Sequence, residues 1–142
     1  MTRARAQLAW EKIVSIGFSN YGQLTREQRV WFNIEPLTTG GIIDHYINHL
    51  GAWNEDTIAD LEYLGFNDIA DGMRKINELF LLGKPPLDIN ERNDEIVHWD
   101  EKHDALLNEI EKQYWRRNND IEIALIEHIN KTGIGTYQGN EQ

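Results

Sequence analysis

Apolar residues recur at three- and four-residue intervals along nearly the whole chain, and no stretch sustains the period-two alternation of a half-buried strand. Leu8, Trp10, Ile13, Val14 and Phe18 mark a first helix, with Gly17 near its end. Leu24 to Gly51 then forms the unit around which the rest is organised. Thr25 and Gln28 make a capping box, in which each side chain satisfies an otherwise unpaired N–H at the helix start. Val30, Trp31, Ile34 and Leu37 give that helix one buried face, and Pro36, with no N–H for Phe32, is expected to kink or end it. Thr38 to Gly41 reads as a tight structural turn, with Gly40 or Gly41 at positive φ. A further helix follows through Ile42, Ile43, Tyr46, Ile47 and Leu50, and Gly51 is placed to stop it.

Downstream, Asn54 is the expected cap of a helix through Ile58, Leu61 and Leu64, with Gly65 as its stop. Asn67 is expected to cap the next, whose Ile69, Met73, Ile76, Leu79 and Phe80 face the core until Gly83 and Lys84-Pro85-Pro86 end it. A short helix or irregular turn spans Asp88 to His98. A long helix runs from Trp99 to Arg117 through Leu106, Leu107, Ile110 and Tyr114, Asn118-Asn119-Asp120 reads as a break, and Ile121 to Ile129 forms a last helix. The expectation is an all-α fold, one domain of six to eight helices with short loops, its core at about residues 8 to 130 and its ends (1–5 and 133–142) loose.

The chain has 142 residues, enough for a core without staples, and no cysteine, so thiolate chemistry is excluded. No signal-peptide core and no membrane-length apolar run is present, and a cytoplasmic protein is expected. The net charge of -10 argues against direct nucleic-acid binding. That charge is concentrated: residues 54–71 hold six acids and no Lys or Arg, and residues 88–111 hold nine acids against Arg92 and Lys102.

Carboxylates four apart on a helix lie about 6 Å apart along the axis, close to the spacing of phosphates on one DNA strand. Asp56 and Asp60 have that spacing, Glu62 lies in the same segment, and Asp100, Asp104 and Glu111 line one flank of the late helix. These six are the candidate partner-binding residues. Acids at helix starts also serve solubility, which is the plainer account of the same pattern. His45 and His49, four apart, are candidate metal ligands without a third, and no cofactor is expected. His98, Asp100, His103 and Asp104 form a polar cluster too splayed for one site. Trp31 and Trp99 belong to core stripes. Trp115, next to Arg116 and Arg117, suits either a homodimer surface or core packing. Gly40-Gly41 lacks the Lys and Ser/Thr of a phosphate loop, and no nucleophile–base pair stands out.

The stretch QRVWFNIEPL followed by GGIIDHYINHLG resembles a widespread bacterial domain family whose best-known member is a DNA-mimic protein. Gly40, Gly41, Tyr46 and Asn48 match its central pattern, while Thr39, Ile42 and Asp44 stand where the family has Asn, an aromatic and Gln. Leu61, Leu64, Gly65 and Phe66, then Pro85, Pro86, Asp88 and Arg92, then Ala105 to Trp115, extend the likeness over roughly residues 10 to 130. The resemblance implies a non-enzymatic acidic protein that occupies the basic DNA-binding surface of a transcription regulator or other nucleic-acid-binding protein. An immunity- or antitoxin-like inhibitor of a basic nuclease toxin has the same electrostatics. A His-centred metal protein or enzyme is the third reading.

Overall fold

The computed structural model describes residues 3–136. Six helices follow one another: α1 (Arg3–Asn20), α2 (Arg26–Ile47), α3 (Asn54–Tyr63), α4 (Asn67–Asn77), α5 (Ile89–Val97) and α6 (Glu101–Thr132), with single 3-10 turns at Tyr21–Gln23 and His49–Trp53. No strand is present among the described residues, so the all-α expectation holds. The 1–5 end lies partly outside the described residues, as does 133–142. α1 already begins at Arg3, and α6 closes on the left-handed Gly133.

The paired helices α2 and α6 form the spine, and α3 and α4 close against them. Val30, Ile34, Leu37, Ile42 and Tyr46 of α2 are completely or almost completely buried, with Leu61, Ile69, Met73, Ile76, Ile110, Tyr114 and Ile121 around them. Each such aliphatic side chain withdraws apolar surface worth about 1.5–3 kcal/mol. The capping box forms as expected: Gln28 N–H donates to the Thr25 hydroxyl and Thr25 N–H to the Gln28 side chain.

Several boundaries differ from the sequence expectation. Pro36 does not end its helix, and the backbone leaves helical geometry at Gly41, with φ of 83° and ψ of -172°. The break is sustained from outside, by α6. Glu111 Oε1 accepts the freed N–H groups of Ile42 and Ile43 at 2.7 and 3.0 Å, and Asn118 Nδ2 reaches the Thr38 carbonyl on the other side of the kink. A Cβ on Gly41 would lie 2.7 Å from the Glu111 carboxylate and 2.8 Å from the Trp115 ring, so a side chain is excluded by contact as well as by φ.

The second half of α2 ends at Ile47, before the expected Gly51 stop. Asn54 and Asn67 are first helical residues and not caps; Trp53 and Phe66 hold the cap positions. Asn54 is instead drawn into the core as a hydrogen-bonding residue. α4 ends at Asn77 and tightens into successive turns, which bring Phe80 against Tyr46 and Trp99 and leave Leu81 and Leu82 outside. In α1, Ala9, Ile13 and Gly17 are the buried line, while Leu8 and Phe18 are exposed.

The expected break at Asn118-Asn119-Asp120 is absent, and α6 is continuous for 32 residues. The capping-type side chains are spent elsewhere: Asn118 bonds Tyr114, Glu122 and Thr38, and Asp120 pairs with Arg117. A residue type that favours helix starts is tolerated mid-helix when side chains a turn away on the same helix, and here the Thr38 carbonyl, engage its polar atoms.

Candidate functional site

The 11 residues between α4 and α5 fold back over α3 and enclose a groove of about 1390 Å³. Its floor is apolar, with Ile58 and Ala59 of α3, and the connection adds Leu81, Leu82 and Leu87. Its rim is acidic. Glu55 and Glu62 come from α3, Asp88 from the cap of α5, and Glu91, Asp94 and Glu95 from α5 itself, against Arg74 and Lys84. Arg74 is already engaged by Glu62 at 2.8 Å and Asp71 at 3.0 Å. The groove is thus where the two acidic segments of the sequence meet.

Its walls are fixed by one buried cation. Arg92, on the inner face of α5, has no exposed surface. Its guanidinium donates to the carbonyls of Tyr46 (2.6 Å), Asn48, Pro86 (2.8 Å) and Leu87 (3.2 Å). The first two are carbonyls at the end of α2, which carry the negative pole of that helix. The other two hold the connecting loop down. Asn93 adds a bond to the Ile47 carbonyl. Burial lowers the Arg92 pKa below its ordinary value, yet guanidinium remains charged at any physiological pH. Gly51 makes room for it, since a Cβ there would meet Nε at 2.7 Å.

A polar chain runs from the core to the groove wall. Tyr46 O–H donates to Asn77 Oδ1 (2.7 Å), Asn77 Nδ2 to Asn54 Oδ1 (2.7 Å), and Asn54 Nδ2 to His45 Nε2 (3.0 Å). Asn54 and Asn77 also line the groove. His45 is neutral there: burial, reinforced by the Arg92 charge, pushes its pKa down to about 3.

The six candidate partner-binding residues are dispersed. Asp60 is wholly buried, held by Arg29 at 2.7 Å and Asn33 at 3.0 Å, and it anchors α3 to α2. Asp56, half-exposed, accepts from Tyr21 O–H. Glu111 is the capping group at the α2 kink and also takes the Trp115 indole N–H. Asp100 caps α6, accepting from the His103 backbone, a bond that lowers its pKa below the usual carboxylate range. Asp104 is exposed on α6, away from the groove. Glu62 alone of the six lines it. The expectation of an exposed rail through Asp60 and Glu111 is therefore corrected: both carboxylates face inward onto donors.

Sequence reasoning passed over Glu55, Asp88, Glu91, Asp94 and Glu95 as individuals, although their density in two segments was the available signal. Of Gly40 and Gly41, Gly41 alone leaves helical geometry, at positive φ, while Gly40 remains within the helix.

His45 and His49 do not share a face. α2 ends between them, leaving His45 buried and His49 exposed on the following turn. Among the described residues no group of three or more His, Asp or Glu side chains is arranged to hold a metal ion. Trp31 is core, Trp99 packs on Phe80 at its margin, and Trp115 is 42% exposed beside Gly41. Among the described residues no helix is long and apolar enough to cross a membrane.

No curated protein and no solved structure matches the chain. Residues 22–132, from the turn before α2 to the end of α6, match the family model described as DMP19-like protein, and the chain belongs to that family.

Proposed function

We propose that this protein is a non-enzymatic acidic binding module that occupies the basic nucleic-acid-binding surface of a protein partner, a transcription regulator first of all. The observation that carries the reading is the convergence of two acidic segments, separated by 16 residues of sequence, on one groove. Glu91 and Glu95, four apart on α5, have the roughly 6 Å axial spacing that suits a phosphate-like row, and Glu55 and Glu62 face them from α3, two turns apart. The α5 row replaces the Asp100–Asp104–Glu111 flank as the candidate rail. Carboxylates held on helices meet Lys and Arg of a DNA-binding surface with little further ordering cost, and opposite fields speed encounter.

The test is competitive elution. The full chain is immobilised, exposed to lysate of the source cell, and washed with mixed-sequence duplex DNA at low salt. The reading expects captured DNA-binding proteins to leave with the duplex and to be lost from a bait carrying Glu55→Gln, Glu91→Gln and Asp94→Asn. Retention of every captured protein in the presence of excess duplex overturns it.

A further inference from the structure

The groove is more than a charged surface. Leu81, Leu82 and Leu87 are 87%, 85% and 78% exposed, a concentration of apolar side chains that soluble surfaces seldom present without use. They are also held in place. Glu95 Oε1 accepts the Leu81 N–H at 2.9 Å, Arg92 holds the Pro86 and Leu87 carbonyls, and Pro85 is buried. The loop is tied at both ends with its leucines turned outward, which is an arrangement prepared for contact.

We infer that this groove receives an amphipathic basic helix of the partner protein, its apolar face on Leu81, Leu82, Leu87 and Ile58 and its Lys and Arg side chains on Glu55, Glu91 and Asp94. The inference rests on the reading above and specifies the partner's side of it. Three observations select the occupant. The site is acidic at the rim and apolar at the floor, so its complement is basic at the flanks and apolar on one face. Among the described residues no strand edge exists to pair an extended peptide, so the occupant must satisfy its own backbone, as a helix does. The groove, of about 1390 Å³ and open to solvent, has room for the inward face of a helix of about three turns, roughly 16 Å long. A second copy of this chain is a poor occupant, because its net charge of -10 would be brought against the same acids. The C-terminal segment, residues 137–142, carries no Lys or Arg and lacks the complementary charge.

A defined probe tests this with the full chain. A fluorescein-labelled 14-residue peptide of Leu and Lys in amphipathic helical order is compared with a scrambled peptide of identical composition, by anisotropy. Both are also titrated into the variant Leu81→Ser, Leu82→Ser, Leu87→Ser, whose changed side chains are exposed and leave the core intact. The inference expects the ordered peptide to bind at least fivefold tighter than the scrambled one, to gain helical circular dichroism on binding, and to lose at least fivefold in the triple variant. A smaller preference, or a smaller loss in the triple variant, overturns it. Duplex-competed capture that persists in the leucine variant would sink the helix groove alone, whereas peptide binding without any duplex-competed capture would sink the functional reading and leave the groove standing.

Discussion

The carboxylate of Glu111 lies 2.7 Å from the backbone nitrogen of Ile42, across 69 residues of sequence, and makes an N-terminal cap for the second half of a helix that has no local capping residue. Gly40 and Gly41 supply no side chain, so α6 provides it. Removing the group strands two N–H donors in a half-buried position. Glu111→Ala is expected to lower stability by about 1–2 kcal/mol, measured by urea denaturation. An unchanged urea midpoint would show that solvent replaces the cap.

The kink itself gives a paired expectation. Gly41→Ala puts a Cβ against Glu111 and Trp115 at φ of 83°, and about 1–3 kcal/mol should be lost. At Gly40 the nearest obstacle is the flexible Asp44 side chain, and the backbone is helical, so Gly40→Ala should cost clearly less. Thermal melts of both variants decide this; equal losses would place the constraint in the whole turn and not in Gly41.

Arg92 is expected to govern the groove's shape. Arg92→Lys keeps the charge but cannot reach four carbonyls with one ammonium, and at least about 2 kcal/mol of stability should go with the unsatisfied acceptors. Hydrogen exchange should rise most in residues 79–89, before the rest of the molecule. Uniform acceleration throughout would mean that Arg92 supports the core as a whole and not the loop.

His45 makes stability depend on pH in a defined window. Its folded pKa of about 3 lies below the ordinary value of 6.5, so the unfolded chain binds the extra proton between them. The contribution is complete above pH 6.5 and is lost as pH falls towards 3, by up to about 1.4 kcal/mol per pH unit. His45→Gln can still accept from Asn54 and cannot protonate. The variant should be less stable at pH 7 yet lose less between pH 6.5 and 4.5 than the parent. Parallel pH profiles would remove His45 as the cause.

The helical pattern was legible because its signals are local. The capping box at Thr25 and Gln28, the stripe through Ile69, Met73 and Ile76, and the glycine turn each depend on residues a few positions apart. The misread features depend on distant ones. Pro36 was expected to break a helix that Glu111 and Asn118 break five residues later. Asn118 is of the cap-forming type, but its amide reaches the Thr38 carbonyl, 80 residues away. The site follows the same division. Its two acidic segments could be read from composition, but which carboxylates stand at the rim is decided by burial. Asp60, in the same acidic segment, turns inward to Arg29, and Glu55 does not.

That distribution leads to an expectation requiring no partner. Glu55, Glu91 and Asp94 face one groove and repel one another across it, so the folded state carries an electrostatic cost for holding its acids together. Replacing them by Gln, Gln and Asn should raise the melting temperature at low ionic strength by about 1–3 °C. The gain should fade as salt rises and the Debye length shrinks from about 30 Å at 0.01 M to about 10 Å at 0.1 M. The same neutralisation at Glu11, Glu109 and Glu127, exposed on α1 and α6, removes equal formal charge from sites outside the groove and should change the melt less. Calorimetry of both variants and the parent at two salt concentrations makes the comparison. Identical shifts would mean that the acidity acts as a total, and the groove would lose its claim to be the place where this protein keeps its charge.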